Sequence, residues 1–214
     1  MNYSPQLFSQ FFITLPALLV SMILHEIAHG YVAFRLGDDT ASRQKRLSLN
    51  PLRHLDVFGS AMLFLTFFGS GGSMLFGWAK PVPINPGRFK DPQRGMMWVG
   101  AAGPVTNFLL AAVSALVLEK WSPSSQLLLT ALFMIFQLNV ILMLFNLIPV
   151  PPLDGSRILG GFLNRRAYMQ WIQMDQYGMF FIMILLFLII GPLQGAFSDV
   201  IRSVYRLFLP SFGF

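Results

Sequence analysis

Apolar residues run almost unbroken from Leu7 to Phe34, and the run is followed by Gly37, a residue suited to close a helix. The spacing predicts a first helix over Leu7–Leu36. About 30 residues at ~1.5 Å each exceed the hydrocarbon core of a bilayer, so it can span with tilt or project at one end. Pro16 inside it predicts a kink, which a packed membrane helix tolerates. Val57–Trp78 is also uncharged but is interrupted by GSGGS at Gly69–Ser73. That leaves a helical piece of about 12 residues, too short to cross and suited to a re-entrant segment. Further spans are predicted over Arg94–Leu118 and Gln126–Leu147, and another begins at Met179–Gly191, where GPLQG interrupts it before about Arg202. The closing SVYRLFLPSFGF reads as an interfacial amphipathic tail. In GWAKPVPINPGRF, prolines alternate with β-branched residues at Pro81, Val82, Pro83 and Ile84, which excludes helix and predicts extended backbone. The fold class expected is an all-α polytopic membrane protein, a single domain over residues 1–214. It has about four full transmembrane helices plus a re-entrant segment with a short extended or β stretch.

Composition agrees, with 55% hydrophobic residues, 11% charged and a mean hydropathy of +0.61. The first ten residues hold no Lys or Arg, so the first span reads as retained and not as a removable signal, and residue 1 is expected to be mature. The absence of cysteine excludes disulfides and thiolate metal ligands. The net charge of +6 comes from basic residues between spans: five of the 15 lie in Arg35–Arg53, four in Lys80–Arg94 and three in Arg157–Arg166. Such clustering is a topology signal, and no basic, aromatic-interleaved motif points to nucleic acid. The positive-inside rule puts all three segments in the cytoplasm, which requires Val57–Trp78 to enter the membrane and return.

The chemistry concentrates in SMILHEIAHG, Ser21–Gly30, where His25, Glu26 and His29 interrupt the first apolar run. An ionisable group at bilayer depth costs on the order of 2.5 kcal/mol or more unless it is paired. Residues four apart share a helix face, so His25 and His29 can hold one metal ion while Glu26 stands beside it, the H-E-x-x-H zinc hydrolase pattern. The bland alternative is a set of polar groups bonding a neighbouring helix. Without thiolates the remaining ligand must be His, Asp or Glu. In IPVPPLDG three prolines force the chain out of helix and deliver Asp154 on an extended stretch, the natural third ligand. Gly100 and Gly103, with Ala101 and Ala102, form a small-residue face for helix packing. Asn107 is a buried amide that either packs or binds substrate carbonyls. Asn139 and Asn146, seven apart, make a polar seam. His54 and Asp56 either orient the site or fold an interfacial loop, and their spacing favours the loop. Lys80–Asn85 is either an edge for an added peptide strand or a proline-stiffened loop, and composition favours the loop.

Taken together, HEIAH at 25–29, NPLRHLD at 50–56, GPVTN at 103–107 and NLIPVPPLDG at 146–155 resemble the site-2 protease family of intramembrane zinc metalloproteases, especially its short bacterial members. The resemblance implies one zinc ion held by His25, His29 and Asp154, with Glu26 as general base and Asn107 contacting substrate or transition state. It also implies that Lys80, Pro81, Val82, Pro83 and Ile84 form a membrane-dipping, strand-forming segment that binds substrate. His54, Asp56, Asn139 and Asn146 are left as supports behind the site. The implied activity is hydrolysis of peptide bonds within or near transmembrane segments. The implied partners are membrane-protein substrates and the lipid bilayer, with self-association open. The implied location is the bacterial cytoplasmic membrane, with the active site toward the cytoplasm. Nothing in the chain resembles a PDZ insert or a CBS pair. Two other classes stay open. A metal-ion transporter needs ligands strung along a path, whereas this chain supplies one compact set. A catalytically silent membrane scaffold has no need of an intact Glu26.

Overall fold

A computed structural model describes residues 5–72, 74–121 and 123–213; Ser73 in the GSGGS break and Ser122 in the connection after the second long span lie outside them. The first apolar run forms α1 (Pro5–Arg35), which continues through Pro16. It ends where Gly37 takes a left-handed φ of 107°, a conformation that costs glycine nothing. A short helical turn, α2 (Thr40–Arg43), leads through a 3-10 turn at Pro51–Arg53 to α3 (Val57–Gly69). Asp56 caps α3 by accepting the N–H of Gly59 at 2.8 Å. Gly71 and Gly72, both at positive φ, then turn the chain back.

The returning segment brings Lys80 N–H to the carbonyl of His54 at 2.8 Å and sets Ala79 against Leu55 in an antiparallel bridge. The stretch therefore leaves and comes back at one place, as a re-entrant segment must. Along α1, the buried side chains Leu63 and Phe67 of α3 pack on Leu7, Phe11 and Leu18. Among the described residues KPVPIN is neither helix nor strand, with Asn85 at its end in extended backbone; Pro81 and Pro83 have no N–H to give a ladder.

Two long helices follow, α4 (Pro92–Trp121) and α5 (Gln126–Asn146), and then α6 (Asp154–Gly160). α7 (Arg165–Gln173), a 3-10 turn at Met174–Tyr177 and α8 (Gly178–Ile190) make one near-continuous helical run. Among the described residues four stretches are long and apolar enough to cross a membrane: Leu7–Arg35, Pro92–Trp121, Gln126–Asn146 and Arg165–Ile190. The chain is an all-α polytopic membrane protein. The fourth span thus begins earlier than the apolar run at Met179 and stops at Ile190. Gly191 and Pro192 break it, and α9 (Gln194–Phe208) is a separate helix. The expected tail is partly core: Tyr205 and Leu209 pack on Ala111, Ala115 and Leu118 of α4 and on Phe136 and Val140 of α5.

The three basic segments meet at one end of the bundle. Arg46 donates to the carbonyl of Lys80 at 2.5 Å, Arg88 pairs with Asp39, and Gln93 donates to the carbonyls of Gly160 and Leu163. At the other end of α4, Ser211 donates its hydroxyl proton to Glu119 at 2.6 Å.

Candidate metal centre

His25 and His29 lie four apart on α1 and both are buried, so their rings face the same neighbour, α4. Their Nε2 atoms are 2.9 Å apart, and Oδ2 of Asp154 stands 3.2 Å from one and 3.3 Å from the other. A four-coordinate ion with bonds near 2.0–2.1 Å has ligand–ligand edges of ~3.3 Å, so this triangle is close to one face of a zinc tetrahedron. The remaining features fit as well. The Nδ1–H of His29 donates to the carbonyl of Val99 at 2.7 Å, which fixes the tautomer and turns the Nε2 lone pair toward the centre. Oδ2 of Asp154 is buried without a hydrogen-bond donor among the described residues. Two neutral imidazoles and a carboxylate are a donor set that suits zinc.

Helix α4 makes room for this arrangement. A Cβ built on Gly103 would stand 2.6 Å from Nε2 of His25 and from Cε1 of His29, and one on Gly100 would stand 3.0 Å from the carbonyl oxygen of Asp154. The small-residue face predicted for helix packing is therefore the seat of the His25 and His29 rings and of α6. Asp154 sits in the first turn of α6, not on extended chain as expected, because the proline run ends at Pro152 and Leu153 serves as the helix cap. Trp171 holds α6 from outside, its indole N–H donating to the carbonyl of Ser156 at 2.9 Å.

Glu26 is turned toward the extended segment: its Oε2 accepts the N–H of Val82 at 2.9 Å. That segment is tied down on both sides. Arg46 donates to the carbonyls of Lys80 and Pro81, at 2.5 and 3.2 Å, and Asp38 accepts the N–H of Asn85 at 2.6 Å. Burial pushes the Asp38 carboxyl up, but the N–H of Asn85, the hydroxyl and N–H of Thr40 and the Arg88 guanidinium outweigh it and hold the carboxyl below the usual range.

The other predicted positions separate into groups. Asn107, one turn beyond Gly103, is fully buried, and neither of its amide atoms has a partner among the described residues. Asn139 donates to the hydroxyl of Ser21 at 2.8 Å, joining α5 to α1 one turn from His25. Asn146 donates to Leu142 of its own helix at 2.9 Å. His54 is buried and donates its Nε2–H to the carbonyl of Ser48 at 2.7 Å, while Asp56 caps α3, so this pair serves the loop. Sequence reasoning missed the carbonyl of Val99 and the anchors Asp38 and Arg46. The one available signal was an acidic residue placed directly after the glycine that ends α1.

Residues 116–190, which include Asp154, match the model of peptidase family M50. Over 205 residues the chain is 38% identical to YwhC of Bacillus subtilis (strain 168), provisionally named a zinc metalloprotease, covering 89% of this chain and 88% of that protein. The chain belongs to peptidase family M50. Similar provisional names are carried by two other relatives. Rip2 of Mycolicibacterium smegmatis is 28% identical, covering 82% of this chain and 67% of its own length. MJ0611 of Methanocaldococcus jannaschii is 31% identical over 151 residues, 70% of each chain. No solved structure matches. This M50 peptidase, of the site-2 protease family, is a membrane metalloprotease and an integral membrane protein.

Proposed function

We propose that this M50 peptidase cleaves peptide bonds within or near transmembrane segments of membrane-protein substrates, with one zinc ion held by His25, His29 and Asp154. The observation that carries this reading is the triangle of Nε2, Nε2 and Oδ2 atoms at 2.9–3.3 Å, buried between helices long enough to span. When bound, zinc supplies the Lewis acidity that makes water nucleophilic near neutral pH and polarises the scissile carbonyl. Glu26, beside the ligands and outside their triangle, takes the proton from the attacking water and passes it to the leaving amine nitrogen. Asn107 brings an unpaired amide N–H into a buried setting, where a donor to a developing oxyanion counts for most. A substrate helix must unwind before its amide can be attacked, and the extended residues Lys80, Pro81, Val82, Pro83 and Ile84 lie where the unwound segment passes Glu26.

Membership in the family and the distribution of charge support a bacterial cytoplasmic membrane with the site toward the cytoplasm. The three basic segments gather at the end of α1 nearest His29, about 9 Å of helix from Arg35. In this cysteine-free chain, single cysteines at Ser42, Arg88 and Asn164 should resist an impermeant thiol reagent added outside, whereas one at Ser124 reacts. Labelling at 88 with 42 protected overturns the sidedness.

The function itself is tested by co-expression with a single-span membrane substrate and mass mapping of the fragments. The expected cut lies within or beside the span. Cleavage confined to soluble loops far from the membrane overturns the reading.

A further inference from the structure

Two buried charges on the connection after α1 take no part in this chemistry, Asp38 at 0% exposure and Arg46 at 7%. Removing a charge from water is expensive; both receive the backbone of one segment in return, Asp38 together with Thr40 and Arg88. Arg46 holds the carbonyls of Lys80 and Pro81, and Asp38 holds the N–H of Asn85. Between these anchors the side chain of Val82 is buried, and the N–H of Val82 reaches Oε2 of Glu26 at 2.9 Å. Gly30, four residues after Glu26 on α1, leaves the space: a Cβ there would stand 2.9 Å from Cγ1 of Val82. Pro81 and Pro83 have no N–H, so Val82 is the one donor of its tripeptide, and both prolines favour the extended backbone that presents it.

We propose that Val82 is a positioning residue for the base: its peptide N–H, fixed by the Arg46 and Asp38 anchors, holds Oε2 of Glu26 and leaves Oε1 as the oxygen that meets the attacking water. The proposal rests on the reading of Glu26 as the base. It gives the segment a duty besides substrate contact, since its donor nearest the site is already engaged by the enzyme's own carboxylate.

The first test needs no metal and no turnover. In metal-free, uniformly 15N-labelled protein, the Val82 amide should be protected from hydrogen exchange. Glu26→Ala should speed its exchange on the order of tenfold or more, as for a lost hydrogen bond to a charged acceptor, and leave the Asn85 amide unchanged. Equal exchange at Val82 in the two proteins overturns the proposal.

The second test separates positioning from substrate binding. Val82→Pro removes the donor, and Val82→Ala keeps it while trimming the side chain. Val82→Pro should lower kcat about tenfold with KM unchanged, and Val82→Ala should restore most of kcat. A raised KM at full kcat assigns the segment to substrate alone and overturns the proposal. If Val82→Pro does not fold, Arg46→Gln and Asp38→Asn loosen the anchors, and the same kcat loss at constant KM is expected. Full kcat in both contradicts it. Glu26→Gln tells the two readings apart: an active variant sinks the base itself, while an inactive one beside a fully active Val82→Pro sinks only the positioning.

Discussion

Two walls close on Glu26, and they are held by different forces. The helical wall, made by α1, α4 and α6, brings His25, His29 and Asp154 together by packing, with Gly100 and Gly103 setting how closely the helices approach. The other wall is the extended segment 80–85, which lacks regular secondary structure and is held by Arg46 and Asp38 through charge-assisted hydrogen bonds to its backbone. Close-packed helices resist added volume, whereas a wall held through its backbone by a buried carboxylate weakens when that carboxylate takes a proton. The site-bearing wall is therefore the one in which a single methyl group matters.

The largest effects are expected where the helical wall meets the ion. His25→Ala, His29→Ala and Asp154→Ala should each remove zinc, read as metal content of the purified protein, and abolish proteolysis. Full zinc occupancy in Asp154→Ala would show that the third ligand lies elsewhere. Next comes the seat. Gly103→Leu should drive its side chain into both imidazoles and empty the site, while Gly103→Ala should cost about 1–3 kcal/mol as overpacking and lower zinc affinity with the fold retained. Normal zinc content in Gly103→Leu would mean that α4 does not press on the ligands.

The smallest effect distinguishes the other wall. Asp38 has a folded value below the ordinary 3.8, so its contribution to stability is present above 3.8 and is lost as the pH falls through the folded value. Asp38→Asn should lower stability by about 2 kcal/mol near neutral pH, and its Tm deficit against the parent should close on acidification. An Asp38→Asn deficit that stays constant on acidification would erase the distinction between the walls.

The helical wall was largely legible in the sequence, and the other wall was not. Ionisable residues inside an apolar run, at helical spacing, mark a candidate site because such groups are costly at bilayer depth unless they are paired. Asp154 could be read because prolines interrupt a membrane helix just before it. The return of the re-entrant segment followed from counting charges. By contrast, Gly103 reads only as a small residue until α4 is laid on α1, and the carbonyl of Val99 belongs to no side-chain pattern. Asp38 and Arg46 look like ordinary loop charges, since burial is a property of the assembled chain. The start of the fourth span was hidden by the polar stretch Arg165–Tyr177, whose helical run the hydropathy of Met179–Gly191 does not announce.

The central claim is that Glu26 moves the proton and does not hold the metal, and Glu26→Gln examined for both properties at once tests it most directly. The variant should keep parental zinc content and lose cleavage of a co-expressed membrane substrate by ~10²- to 10⁴-fold, the usual contribution of a general base. Cleavage at the parental rate, or loss of zinc together with activity, would contradict the assignment.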